Sequence, residues 1–344
     1  MCGIAGIYGE ENRYLVEQML PKLSHRGPDD TGIYCGRNMT LGHTRLSIID
    51  VESGHQPLFN EGNNIVLVCN GEIYNHESLR KKLPHHEFRT RSDSEVILHL
   101  YEEMGPECVK LLDGMFSFVL FDGKSVFAAR DPLGIKPLYY AESLGRWFFA
   151  SEIKALAGIV DDIHEFPNGH YYHSDNGFCR YYQLPADPPD IDTADQALPQ
   201  LRSLFIQAVV KRLMADVPLG VLLSGGLDSS LVSAVASQYH KGINSFSVGI
   251  EGSSDVSAAR LMADFLDVNH HEFLYTLDDV LDILPSVIYS LESYDAPLVR
   301  SAIPTFFVSR LARRHVKVIL SGEGSDELFS GYHYYKKCPD DVLL

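Results

Sequence analysis

Residues 220–239 read GVLLSGGLDSSLVSAVASQY. The apolar run at 220–223 predicts a buried strand, SGGLDSS at 224–230 a tight loop, and residues 229–239 a helix. A glycine-rich turn from strand into helix lets backbone N–H groups approach an anion, and the helix N-terminus adds the positive end of its dipole. The loop is therefore read as a phosphate cradle. It lacks the G-x-x-x-x-G-K spacing of a Walker A loop, and it is not the G-x-G-x-x-G dinucleotide fingerprint.

The alternation continues outward from this loop. Strands are predicted at 243–248, 270–275 and 316–320, and helices at 256–266, 277–293 and 302–314. Alternating strands and helices imply an α/β doubly wound parallel sheet. Upstream, the stretch QLPADPPDIDTADQAL is rich in Pro and Asp and has no periodicity, so residues 183–198 are read as a linker. That places one domain at 1–182 and a second at 199–344. The first domain reads differently: short aromatic and β-branched strands at 4–8, 40–49, 65–70, 115–122, 125–130, 138–141 and 147–151, with helices at 13–23 and 94–101. Such a pattern predicts an α+β domain of layered antiparallel sheets.

Composition narrows the function. The 344 residues carry a net charge of −17, which argues against a nucleic-acid partner because phosphate backbones are held by Lys and Arg. Six cysteines lie far apart, with no C-x-x-C pair and no Cys/His ligand spacing. Neither a disulfide framework nor a zinc site is expected, and a reducing, cytoplasmic compartment is. The N-terminus has no basic segment before its short apolar stretch, and no run approaches the ~20 apolar residues of a membrane span.

The chain opens Met1-Cys2-Gly3-Ile4. Removal of Met1 would leave Cys2 with a free α-amine beside its thiol, and such an amine can act as the local base for an N-terminal nucleophile. Alone, Cys2 is a small residue near a terminus. Its company includes SHRGPDDTG (24–32), GHTRLSIID (42–50), HQPLFN (55–60), NGEIYNH (70–76), RSDSE (91–95), ARDPLGIKPLYY (129–140) and ASEIKAL (150–156). In this order the set resembles the class II glutamine amidotransferase domain, an N-terminal nucleophile fold, of asparagine synthetases. The resemblance implies that Cys2 attacks the side-chain amide of glutamine, with Asn70 and Gly71 forming the oxyanion hole. It also implies a glutamine pocket of Arg45, Leu46, Ser47, Ile48, Ile49, Asn70, Gly71, Glu72 and Asp93. There Arg45 would take the α-carboxylate, and Glu72 and Asp93 the α-ammonium.

SGGLDSS in turn resembles the PP-loop of ATP pyrophosphatases, which cleave ATP to AMP and pyrophosphate. The resemblance gives Ser224, Gly226, Ser229 and Ser230 to the pyrophosphate, Leu223 and Val248 to the adenosine, and Asp228 to Mg²⁺. SGEGSDELFSGY (321–332) completes the match. It implies Ser321 and Gly322 at the nucleotide, Glu323 by an acyl-adenylate and Asp326 at the metal. The expected reaction activates aspartate with ATP, and ammonia released from glutamine then displaces AMP to give asparagine. Small-molecule partners are therefore glutamine, aspartate and ATP, with a homodimer left open. The family continues beyond the point where this chain ends in KKCPDDVLL, so the second domain reads as short at its C-terminus. A glutaminase alone, a non-catalytic paralogue and an amidotransferase with another carboxylate acceptor stay open as alternatives.

Overall fold

The computed structural model describes residues 1–185, 193–332 and 335. The chain separates into two compact units, Met1–Asp190 and Ile191–Leu344.

The first unit runs β1 (Gly3–Tyr8), α1 (Arg13–Leu23), β2 (Asp30–Gly36), β3 (Met39–Arg45), β4 (Leu58–Phe59), β5 (Val66–Ile73), α2 (His76–Arg80), α3 (Val96–Met104), β6 (Gly114–Phe121), β7 (Val126–Arg130), β8 (Tyr139–Ser143), β9 (Arg146–Ala150), α4 (Ile153–Leu156), β10 (His164–Glu165), β11 (His170–His173) and β12 (Gly177–Arg180). Two antiparallel six-stranded sheets form, ordered β10-β8-β9-β1-β3-β2 and β12-β11-β7-β6-β5-β4. Strand alternation sorts the side chains into layers. Ile4, Leu41, Val66, Val68, Val119 and Phe149 pack between the two sheets. Ala5, Ile7 and Phe148, one residue out of phase, face α1 and α4 with Val16, Met19 and Leu156. Leu67, Phe116, Phe118 and Phe127 face α3 on the far side, against Ile97 and Leu100. The result is a helix–sheet–sheet–helix stack.

Two readings of this unit change. The strand read at 40–49 stops at Arg45. There the Arg45 guanidinium gathers the carbonyls of Ile49, Asp50 and Val51 at 3.1, 2.7 and 3.2 Å, turning the chain, and Asp50 takes φ 52°. β2 and β10 to β12 are not expected from the sequence, because DTGIYCG, HYYH and GFCR carry the polar and glycine signals of turns.

The second unit contains α5 (Ala194–Lys211), β13 (Leu219–Leu222), α6 (Leu227–Tyr239), β14 (Asn244–Gly249), α7 (Ser254–Leu266), β15 (Asn269–Leu274), α8 (Leu277–Leu291), α9 (Ala296–Ala312), β16 (Val318–Leu320) and α10 (Ser325–Phe329). Its four strands are all parallel, ordered β15-β14-β13-β16. The order reverses between β13 and β16, which makes the crevice beyond their C-terminal ends a topological switch point.

Of the stretch read as linker, residues 186–192 lie outside the described residues, and 194–198 are the start of α5, capped by the Thr193 side chain. α9 starts six residues before its expected onset. Asp295 caps it through the Leu298 N–H at 3.1 Å, and Pro297 sits in the first turn, where no N–H is needed. No helix among the described residues is long and apolar enough to cross a membrane. Cys2, Cys35, Cys69, Cys108 and Cys179 are free thiols.

Candidate functional site

β1 is a central strand, paired with β3 on one side and β9 on the other, and Cys2 is the residue before it. Gly3 follows because nothing larger fits: a Cβ there would lie 2.5 Å from Thr44 Oγ1 and 2.8 Å from Leu23 Cβ. The Cys2 backbone is clamped at both ends. Its N–H donates to Asn70 Oδ1 at 3.0 Å, and its carbonyl accepts from Arg26 Nε at 2.8 Å. Arg26 is itself held by Glu152 at 2.7 Å. The Cys2 sulfur accepts from the Leu46 N–H at 3.4 Å. Burial pushes this thiol up, opposed by the N-terminal ammonium, the Leu46 N–H, Lys136 and Arg45. The terminal amine, here that of Met1, is pushed down to about 6, chiefly by burial.

Asn70 lies on β5, on the face turned between the sheets. Since the Cys2 N–H can only donate, it fixes the amide oxygen of Asn70 towards itself. The Asn70 Nδ2 is buried and finds no partner among the described residues. Gly71 is set by packing as well, because a Cβ there would meet Met115 O at 2.4 Å. Beyond it, Asp93 accepts from the Ile73 N–H at 2.6 Å. Burial pushes the Asp93 carboxyl up to about 6, and burial together with the Asp93 charge pushes the Glu72 carboxyl well above its ordinary value. Glu72 Oε2 is buried without a hydrogen bond. Two buried carboxyls whose pKa values are raised gain by receiving a cation, which stabilises their charged form. Ser47 is held by its N–H to Asp29 Oδ2 at 2.8 Å, and Ile49 lends a carbonyl to Arg45. Arg45 is therefore occupied by the loop it turns.

Lys136 is not among the residues the sequence singles out, although it stands within ARDPLGIKPLYY. Burial pushes its ammonium down, while Glu72 and Cys2 act in the opposite direction. Its loop is wound on the Asp131 carboxylate, which accepts from the N–H groups of Leu133, Ile135 and Lys136 at 3.1, 3.0 and 2.9 Å. The spacing D-x-x-x-I-K is the available signal: an Asp that caps its own following turn.

In the second unit the loop after β13 folds on itself. Ser224 Oγ and Ser229 Oγ lie 2.9 Å apart, and Ser229 Oγ donates to Gly226 O at 3.2 Å. Gly225 takes φ +79°, and a Cβ there would come within 2.6 Å of the Ala258 backbone. Gly226 precedes α6 with no side-chain cap, so the first N–H groups of that helix face outward. Ser230 Oγ is buried and unpartnered among the described residues. α6 begins at Leu227, which puts Asp228 in its first turn. The loop after β16 comes close: a Cβ on Gly322 would stand 3.0 Å from Asp228 Cβ. Ser321 and Glu323 are exposed at its tip, Asp326 is half-buried, and Val248, one residue before the end of β14, is half-buried. Leu223 is fully buried, so any ligand contact falls to its backbone.

Residues 1–171 match the family model described as glutamine amidotransferase domain, and residues 200–341 match that described as asparagine synthase. The chain is 47% identical to the asparagine synthetase [glutamine-hydrolyzing] of Zea mays, over 99% of this chain and 61% of that one. It is 46% identical to asparagine synthetase [glutamine-hydrolyzing] 2 of Arabidopsis thaliana, over 99% and 62%. With the asparagine synthetase [glutamine-hydrolyzing] of Sandersonia aurantiaca it shares 46% identity over 100% of this chain and 69% of that one. The chain thus spans about three fifths of the length of the maize and Arabidopsis proteins.

Proposed function

The chain belongs to the family of glutamine-hydrolysing asparagine synthetases, and from that premise we propose that it makes asparagine from aspartate, ATP and glutamine. Cys2, freed of Met1, attacks the glutamine carboxamide with its α-amine as base, and ammonia leaves. The carrying observation is the pair formed by Asn70 and Cys2. The amide oxygen is tied to the Cys2 N–H, and the buried NH₂ is left without a partner. That NH₂ and the Gly71 N–H are the donors for the oxyanion. Asp93 and Glu72 receive the α-ammonium. Arg45 binds the α-carboxylate and also orders the loop of Leu46, Ser47, Ile48 and Ile49.

The second unit binds ATP at its switch point, with Ser224, Gly226, Ser229 and Ser230 around the pyrophosphate. Leu223 and Val248 lie by the adenosine, and Ser321 and Gly322 at the nucleotide. The carboxylate of aspartate attacks the α-phosphorus, Glu323 lies by the resulting acyl-adenylate, and ammonia replaces AMP. Asp228 and Asp326 offer hard oxygen donors from the first turns of α6 and α10, a set that fits Mg²⁺. The ion would neutralise charge on the departing pyrophosphate. Free cysteines support a reducing cytosolic setting.

The test is a thiol-directed glutamine analogue followed by peptide mapping, with Cys2→Ala assayed for glutamate. Exclusive labelling at Cys2 and loss of glutamate release are expected. Cys69 and Cys108 are buried thiols pushed far up by burial, so labelling there would refute the assignment.

A further inference from the structure

Four side chains from three separate segments of the first unit converge behind Asp93. Glu61 lies in the turn between β4 and β5, His86 in the loop after α2, and His99 and Glu102 stand three residues apart on α3. His86 Nδ1 is 2.8 Å from a Glu61 oxygen and 3.7 Å from Glu102 Oε2. His99 Nδ1 is 3.0 Å from the other Glu61 oxygen and 3.2 Å from the same Glu102 oxygen. Ligands bound at zinc distances in a tetrahedron stand about 3.4 Å from one another. These nitrogen–oxygen spacings, from 2.8 to 3.7 Å, bracket that value, and one ligand atom from each of the four residues lies within 4.8 Å of the others.

Behind the rings, His86 Nε2 lies 3.1 Å from Glu103 Oε1, the carboxylate support usual for a metal-bound histidine, whereas His99 Nε2 lies 3.6 Å from Glu95 Oε1 and is buried with no hydrogen-bond partner among the described residues. Asn60 Nδ2 holds the far oxygen of Glu102 at 2.8 Å. The ring of His99 is fully buried, and Glu61 Oε2, although close to it, makes no hydrogen bond.

The two rings stand with centroids 4.7 Å apart, and both Nδ1 atoms are turned towards Glu61 and Glu102. A divalent cation among them would take both nitrogens as neutral ligands and be balanced by the charges of Glu61 and Glu102. Side-chain exposures of 32% at Glu61 and 24% at Glu102 provide a way in.

We propose that Glu61, His86, His99 and Glu102 bind a divalent transition-series cation of the zinc class. The expectation drawn from cysteine spacing missed such a site because its ligands are histidines and glutamates brought together by the fold. Bound there, the cation ties the β4–β5 turn and the loop carrying His86 to α3, whose start adjoins Asp93.

The experiment dialyses the full chain, in a Cys2→Ala background with excess Mg²⁺ and no nucleotide, against Zn²⁺ or Co²⁺. One retained equivalent is expected, together with the visible absorption of four-coordinate Co²⁺ and a raised melting temperature. Glu61→Gln and His86→Ala should each weaken Zn²⁺ binding about 100-fold or more. Glu103→Gln, a change to an exposed supporting carboxylate, should weaken it about 10-fold. Should the first two variants fail to fold, Glu103→Gln carries the test. No retained metal, or equal affinity in parent and folded variants, overturns the proposal.

Discussion

Asp93 is enclosed, and burial keeps its proton in place up to about pH 6. An unfolded chain gives up that proton near the ordinary carboxylate value of about 3.9. Between those values the folded state binds more proton, so stability falls as pH rises and the loss is complete above about 6. The gap between the two values corresponds to about 3 kcal/mol as an upper bound. Asp93→Asn keeps an acceptor for the Ile73 N–H and removes the charge. It should match the parent near pH 4, exceed it in melting temperature at pH 7.5, and bind glutamine poorly. Equal stabilities at both pH values would contradict this account. At Asn70 the expected cost is one oxyanion donor: Asn70→Ala should lower kcat for glutamine ~10²–10³-fold. Among single residues, Cys2, Asn70 and Asp93 could be singled out because short motifs surround them, and the structure sets the Cys2 N–H against Asn70. Lys136 was not, since a lysine in a polar turn reads as solvated until the fold encloses it.

Elements were most legible where one period ran unbroken. α1 has the limits read from its apolar spacing, and β5, β6 and β13 to β15 shift by only one to three residues at each end. α9 was read through Pro304 but begun six residues late, beyond Pro297, whose place in the first turn needs no N–H. Short pairs such as β11 and β12 owe their existence to neighbours, a cause no local window contains. The loop between β13 and α6 offers a contrast of two glycines. Gly225→Ala forces a side chain into positive φ and onto the Ala258 backbone, a strain on the order of 1–3 kcal/mol before the clash is counted. Gly226 has φ −70°, and its Cβ would make only ordinary contact with Ser224 Oγ. Gly226→Ala should therefore fold with an unchanged melting temperature yet bind ATP at least ~10-fold more weakly, because its methyl group crowds the cradle. Calorimetric titration checks this, and unchanged ATP affinity in the folded variant would move the phosphate site elsewhere.

Across the whole molecule, the residues assigned to glutamine end at Asp93 and those assigned to the nucleotide begin at Leu223. Asp228→Asn should therefore weaken Mg-ATP binding about 10-fold or more and leave glutamate release unchanged. Cys2→Ala should lose glutamate release yet form AMP and pyrophosphate when ammonium replaces glutamine. ADP and phosphate as products would contradict chemistry at the α-phosphorus. The division into an antiparallel and a parallel half was legible from the change in pattern near residue 200, whereas sheet order was not, because it turns on distant pairings such as Ala5 with Ala150 and Leu219 with Val318. β1 shows what such pairing entails for a nascent chain. Its first partner, β3, follows soon after it, but β9 ends at Ala150. At ~5–20 residues per second, roughly 7–30 s of translation separate the two ends of that pairing. An aminopeptidase has that interval to reach Met1 before the sheet closes over Cys2.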